Sequence, residues 1–192
     1  MQSTINMFSV KVDRFRLTNI DNDMLVNHAL DIKNDTNFML RNAFEESWQS
    51  DKKIHELNKF KSFYSIVEDK INQVYRVSYS KNYKVKISFA WCSVNTPFDI
   101  TLPHNHKESF LSAVYYPHAN NEELWFLTPI PEMLQSINTR HVEKYDEYNS
   151  DYWSEIVNTG DLLIFNSMLW HFIKPSEKQR ISFAVDTVIE NN

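Results

Sequence analysis

The run LPHNHKESFLSAVYYP, Leu102 to Pro117, sets a histidine on every second residue and then passes straight into an apolar, aromatic stretch. In an extended chain side chains alternate between faces, so His104 and His106 point the same way with Asn105 opposite. Two imidazoles on one face are half of a metal site. In the strand that follows, the same alternation puts Ser112, Val114 and Tyr116 together on one face.

The other half is sought in GDLLIFNSMLWHFIKPSEKQRISFAVD, Gly160 to Asp186. Leu163, Phe165, Trp170 and Phe172 supply apolar faces, KPSEKQ supplies a turn, and RISFAVD starts a return strand. With the turn centred near Ser176 and Glu177, Ser182 is expected across from His171, and Arg180 one pleat along on the same face. A histidine, an arginine and a hydroxyl would then share one surface.

Around these two segments the periodicity changes once. Phe8, Val10 and Val12 alternate as a first strand. MLVNHALDIKND reads as a helix preceded by the capping candidates Asp21, Asn22 and Asp23. Ile54, Leu57, Phe60, Tyr64, Val67, Ile71 and Val74 mark a helical face that ends near residue 78. From there the period is two: Tyr83, Val85, Ile87, Phe89 and Trp91 alternate with Lys84, Lys86, Ser88 and Ala90, and strand-like runs follow at about 100–106, 110–116, 123–128, 161–166, 168–174 and 180–188. Helices first and many short strands later indicate an α+β fold in one domain, residues 1–192. Residues 1–80 form a mainly helical buttress with a first strand, and 81–192 form a sandwich or barrel. The polar stretch from Thr128 to Thr159 is expected as a lid-like insertion, with Tyr145, Tyr148, Tyr152 and Trp153 either closing over a substrate or tying the loop down.

Composition narrows the function classes. Apolar residues make up 42% and aromatics 14% of the 192 residues, so a folded core is expected rather than disorder. A single glycine, Gly160, excludes the closely spaced glycines of phosphate-binding loops. A net charge of −5 without a basic run argues against non-specific nucleic-acid binding, and one cysteine, Cys92, excludes an internal disulfide. No stretch approaches the roughly 18 apolar residues of a membrane span, and no leader pattern opens the chain, so a soluble, cytoplasmic protein is expected.

The HxH followed by LSAVYY, then GDLLIF, a lone histidine and RIS nine residues later resembles the iron(II)- and 2-oxoglutarate-dependent oxygenases. It most resembles a branch with an H-x-H-x-x-S-x-L-S-G-V-Y-Y-like run. The resemblance covers about residues 85–188. It implies a double-stranded β-helix, a jelly-roll or cupin-like barrel with the metal between its sheets. It further implies Fe(II) held by His104, His106 and His171, Arg180 on the distal carboxylate of the cosubstrate 2-oxoglutarate, Ser182 and Tyr116 as hydroxyl donors, and O2 as oxidant for the hydroxylation of a substrate. Two departures stand out. His106 occupies the place where the commonest pattern has Asp or Glu, and His106-Lys107-Glu108 offers a competing H-x-E frame with Glu108 as ligand; the family run favours His104 and His106. Ala113 stands where the branch usually has Gly.

Plainer readings stand beside these. Arg180 is otherwise a salt-bridge partner of Glu177 or Asp186, Ser182 and Tyr116 are otherwise buried polar groups, and Cys92 lacks a basic neighbour to activate it. Two rival functions remain open at this point: a cupin-like three-histidine enzyme without 2-oxoglutarate, and a non-catalytic jelly-roll binding module. The substrate is a protein side chain, a nucleobase or a small metabolite, and the helices before residue 80 either build a homodimer interface or cover the barrel.

Overall fold

The computed structural model describes residues 9–35, 39–40, 47–129, 142–146 and 149–191. The strand expected around Phe8 to Val12 starts at its far end, as β1 (Val12–Arg16); Phe8 lies outside the described residues. Helix α1 (Asn22–Asn34) begins at the expected cap, where the Asp21 carboxylate accepts from the Met24 N–H at 2.9 Å. After β2 (Met39–Leu40) and β3 (Trp48–Ser50), two short 3-10 turns lead into α2 (Lys61–Ser78). Phe60, Phe63, Tyr64, Val67, Ile71 and Tyr75 form the buried face there. The remaining strands are β4 (Tyr83–Asn95), β5 (Thr101–His104), β6 (Leu111–His118), β7 (Glu122–Leu127), β8 (Tyr152–Val157), β9 (Asp161–Asn166), β10 (His171–Ile173) and β11 (Arg180–Asn191).

These strands form a seven-stranded sheet in the order β1-β9-β6-β11-β4-β3-β2 and a four-stranded sheet in the order β5-β10-β7-β8. The pairings are antiparallel, and from β5 onward the chain passes repeatedly from one sheet to the other, as a double-stranded β-helix requires. Among the described residues no ladder joins the two sheets, so the barrel expected from sequence is a sandwich of two sheets of unequal width.

The expected hairpin between the segments at 168–174 and 180–188 does not form. β10 pairs with β5 and β7 in the small sheet, whereas β11 lies between β4 and β6 in the large one. Ser182 is therefore not beside His171 in one sheet but in the opposite layer. The turn-like KPSEKQ is a crossing between layers, tied down along its length: Ser176 donates to Glu122 at 3.1 Å, its carbonyl accepts from Phe98 N–H at 2.7 Å, and Lys178 Nζ donates to the Asn120 carbonyl at 2.8 Å.

Period two survives along β4 but changes face midway. Asp186 pairs with Phe89 and Thr187 with Ile87, which leaves Ser88 as the extra residue of a bulge. Before it Val85 and Ile87 pack on the helices. After it Ala90, Cys92 and Val94 do so, and Trp91, Ser93 and Asn95 turn to the interior of the sandwich. In the neighbouring strands Leu111, Ala113 and Tyr115, Leu162 and Ile164, and Ile181, Phe183 and Val185 face the helices, and β6 shifts its register against β11 only beyond Tyr115. Phe183 is wedged among Phe60, Phe63 and Tyr64 at ring separations of 5.4 to 6.5 Å, and Tyr115 donates to Asn22 of α1 at 2.6 Å. The helices thus cover the outer face of the large sheet.

The insertion expected over 128–159 is not wholly irregular, because its second half contains β8, paired to β7 from Tyr152↔Leu127 to Val157↔Glu122. Of its aromatic residues, Tyr152 packs on Trp125 at 5.3 Å, and the Lys174 ammonium lies over both rings. That contact ties the segment to the small sheet; Tyr148 lies outside the described residues.

Candidate functional site

His104 ends β5 and His171 opens β10, and the two are direct partners in the ladder between those strands. His106 follows two residues later, its backbone N–H held by the Ser167 carbonyl at 2.8 Å. Ring centroids are 4.4 Å apart for His104 and His171, 5.2 Å for His104 and His106, and 5.1 Å for His106 and His171. One ring nitrogen of each lies within 4.8 Å of the others.

Hydrogen bonding fixes which nitrogen that can be. Nδ1 of His104 is 2.8 Å from the Leu102 carbonyl, and Nδ1 of His171 is 2.9 Å from the Leu169 carbonyl. A carbonyl only accepts, so both rings carry their proton on Nδ1 and leave the Nε2 lone pair bare. Nδ1 of His106 is likewise engaged, by the Asp186 carboxylate at 2.6 Å. Burial, reinforced by His104, lowers His171 to a pKa of about 3, and burial lowers His104 as well. At neutral pH these two rings are therefore uncharged donors. Three converging imidazoles suit a first-row divalent ion. Trp91 stacks on His106 at 5.5 Å and Phe165 meets His171 edge-on at 5.0 Å, which walls the cluster on two sides.

Glu108 is exposed in the turn after His106 and is not part of this cluster. Arg180 lies on the inner face of β11, in one row with Ser182, Ala184 and Asp186. The row leads from the guanidinium at one end to the partner of His106 at the other, with the small Ala184 between. Arg180 is 1% exposed, and its Nε and Nη1 are buried without a hydrogen-bond partner. Burial pulls its pKa below the ordinary value while Tyr116 and Glu122 hold it up. No salt bridge to Glu177 or Asp186 forms among the described residues; Asp186 bonds His106 instead. Tyr116 is buried on the same inner face, its phenol pushed up to about 12 by burial. Ser182 stands opposite Ser93 across the β4–β11 ladder.

Two residues of this pocket are not among the site residues expected from sequence. Asn95 pairs directly with Arg180, is 3% exposed, and has neither amide atom hydrogen-bonded. Four buried polar atoms on facing positions therefore lack protein partners. Buried polar groups are rarely left so, and a carboxylate accepting from the guanidinium and the amide NH2 together would satisfy the three donors among them. Asn95 was hidden by the β4 bulge, because period two read from Tyr83 assigns it to the face of Val85. Asp186 enters the sequence reading only as an alternative salt-bridge partner of Arg180, whereas it bonds His106. Cys92 is the inert thiol expected, buried and pushed up to about 12.

Comparisons with known proteins agree with this architecture. Among solved structures, a Pseudomonas putida prolyl-4-hydroxylase aligns with a TM-score of 0.63 at 10% identity, covering 93% of this chain and 92% of that one. HygX from Streptomyces hygroscopicus, with nickel, 2-oxoglutarate and hygromycin B bound, gives 0.63 at 10% identity over 93% and 82%. A Trichoplax adhaerens prolyl hydroxylase in complex with a hypoxia inducible factor peptide fragment gives 0.63 at 13% over 92% and 82%. At such identities the likeness carries the fold. A search of curated proteins returns no match. The family described as "Putative 2OG-Fe(II) oxygenase" matches residues 89–186, half of the chain and the segment that carries all three histidines, Arg180 and Asp186, and the chain belongs to that family of iron(II)- and 2-oxoglutarate-dependent oxygenases.

Proposed function

We propose that His104, His106 and His171 hold the Fe(II) of this oxygenase through their Nε2 atoms. Arg180 anchors the distal carboxylate of 2-oxoglutarate, with Asn95, Tyr116 and Ser182 beside it. The observation that carries the reading is the convergence of three ring nitrogens within 4.8 Å while every Nδ1 is engaged elsewhere. When bound, iron and 2-oxoglutarate supply the oxidising power, as O2 is consumed and 2-oxoglutarate leaves as succinate and CO2.

The chain's own residues orient and enclose. Arg180 offers a rigid fork of N–H donors in a dry pocket, where a carboxylate gains most from it. Trp91 and Phe165 shield the imidazoles from water. A substrate reaches the site through a cleft of about 480 Å³ bordered by Gln49, Lys52, Phe89, Trp91, Lys107 and Glu108. The described lining thus comes from β3 and the residues just after it, β4, the end of β5, the 105–109 turn and Asp186 of β11, and not from the insertion at 128–159 expected to form much of the substrate edge, of which residues 130–141, 147 and 148 lie outside the described residues. The substrate is a protein side chain, a nucleobase or a small metabolite, and hydroxylation is the reaction proposed. A peptide-bound and a hygromycin B-bound neighbour support the first and the last of these substrate classes.

Titration of metal-free protein with Mn(II) tests the ligand set. One ion per chain is expected, lost in His171→Ala and retained in Glu108→Gln. 2-Oxoglutarate should raise the melting temperature only in the presence of metal, since a ligand that binds the native state alone stabilises it by mass action. Metal uptake unchanged in His171→Ala would overturn the assignment.

A further inference from the structure

The three histidines are alike in geometry but not in what holds them. His104 and His171 give their Nδ1 protons to the neutral carbonyls of Leu102 and Leu169. His106 alone faces a carboxylate, with Nδ1 and Asp186 Oδ1 2.6 Å apart and the two side chains 12% and 11% exposed. Nothing else offsets that charge: among the described residues no lysine or arginine lies within ion-pair distance of Asp186. A buried carboxylate is costly unless hydrogen-bonded and matched by a cation.

The surroundings are built to keep Asp186 in place. Ser112 Oγ is 2.8 Å from the same carboxylate oxygen and 2.9 Å from Ser167 Oγ, and Ser167 Oγ is 3.0 Å from Ser109 Oγ. A carboxylate only accepts, so the Ser112 proton goes to Asp186, and Ser167 donates to one of the neighbouring serines. Ser109 passes its own proton to the Leu111 or Thr187 carbonyl. The β4–β11 register shift falls directly after Asp186, where Thr187 turns away to bond both backbone groups of Leu111. A bulge at that point re-aims one side chain without ending the strand.

We propose, resting on the three-histidine reading above, that Asp186 supplies the negative charge that an all-imidazole ligand set lacks, by accepting the Nδ1 proton of His106 and making that ring the strongest donor of the three. Where the commonest oxygenase pattern puts a carboxylate on the metal, this chain puts an imidazole there and the carboxylate one hydrogen bond behind it. Such a partner raises ligand basicity and fixes the ring, and its removal typically lowers metal affinity about 10- to 100-fold. Asp186 is a positioning and charge-supplying residue and does not itself touch the metal.

Asp186→Asn tests this, because the amide oxygen can still accept from His106 while the charge is gone. Metal-free wild type, Asp186→Asn and Ser112→Ala are titrated with Co(II) against a chelating competitor, and thermal unfolding of the metal-free proteins is recorded alongside. The expected result is an affinity loss of at least 10-fold in Asp186→Asn, with a shifted Co(II) visible spectrum and less than a 3-fold change in Ser112→Ala. Equal Co(II) affinity in wild type and Asp186→Asn, whatever happens to stability, overturns the role of Asp186 and leaves the metal site standing. A wild type that takes up no Co(II) overturns the site itself and this role with it. Should Asp186→Asn not fold, nitrogen NMR of Zn(II)-loaded wild type decides: a His106 Nδ1 shifted toward imidazolate relative to His104 and His171 upholds the proposal, and three equivalent rings overturn it.

Discussion

The two faces of the seven-stranded sheet are made from the same strands and do opposite work. Toward the helices, alternate residues of β11, β6 and β4 are Ile181, Phe183, Val185, Ala113, Tyr115, Cys92 and Val94, buried in one core with residues of α1 and α2. Toward the small sheet, the residues between them include Arg180, Ser182, Asp186, Ser112, Tyr116, Ser93 and Asn95, buried almost as deeply but polar, beside the apolar Trp91, Val114 and Ala184. On the helix side the buried Tyr64 hydroxyl also lacks a partner, but it stands among the rings of Phe60, Phe63 and Phe183. The inner face leaves donors and acceptors of Arg180 and Asn95 unanswered, and the difference teaches where a ligand is needed. Stability and affinity should therefore separate cleanly between neighbouring residues of one strand.

The largest effect is expected from the helix face. Phe183→Ala removes a ring surrounded by three others and should cost about 3–5 kcal/mol in unfolding free energy, read by urea denaturation, while the fraction that remains folded binds metal as before. A comparable loss of metal affinity would break the separation. Three residues away, Arg180→Met should do the reverse. It removes a buried cation with orphaned N–H groups, so stability should hold or rise by about 1 kcal/mol, while 2-oxoglutarate affinity measured by calorimetry falls by more than about 100-fold. A strongly destabilised Arg180→Met that kept 2-oxoglutarate binding would reassign Arg180 to structure.

The histidine cluster predicts a smaller, pH-dependent effect in metal-free protein. The folded-state pKa of His171 is about 3, below its unfolded value near 6.5, and that of His104 is lowered too. The unfolded chain therefore takes up protons first as pH falls below 6.5, and stability is lost in that window and is full above it. His171 contributes a slope of about 1.4 kcal/mol per pH unit between pH 6 and 4, which His171→Asn should remove. An unchanged slope in that variant would mean the ring is protonated when folded. Glu108→Gln should change least, with stability and metal affinity within about 2-fold, because the side chain is exposed outside the cluster.

Much of this was legible in the chain, for physical reasons that also explain the rest. HxH points to a shared face by pleat, although β5 ends at His104 and the Ser167 carbonyl holds His106 beyond it, and the 3.6-residue period of α2 identifies a covering helix without its partner. Ser112, Val114 and Tyr116 share a face as alternation requires. What pleat cannot give is which sheet a strand joins. KPSEKQ has the composition of a tight turn, yet tertiary bonds from Glu122, Phe98 and Asn120 hold it as a crossing, so His171 and Arg180 stand in opposite layers of the sandwich and not within a hairpin. Nor is a bulge visible in the alternation of β4, and with it Asn95 and Trp91 change face. The unanswered guanidinium of Arg180, which supports the proposed 2-oxoglutarate site over a cupin-like three-histidine centre, is visible only in three dimensions.

The most direct test is anaerobic titration of metal-free protein with Fe(II) and then 2-oxoglutarate, following the weak visible charge-transfer band of the chelated cosubstrate in wild type, His106→Ala, Arg180→Met and Glu108→Gln. A band in wild type and Glu108→Gln, absent in His106→Ala and requiring much higher 2-oxoglutarate in Arg180→Met, is the predicted result. A band that survives His106→Ala but is lost in Glu108→Gln would contradict the three-histidine centre.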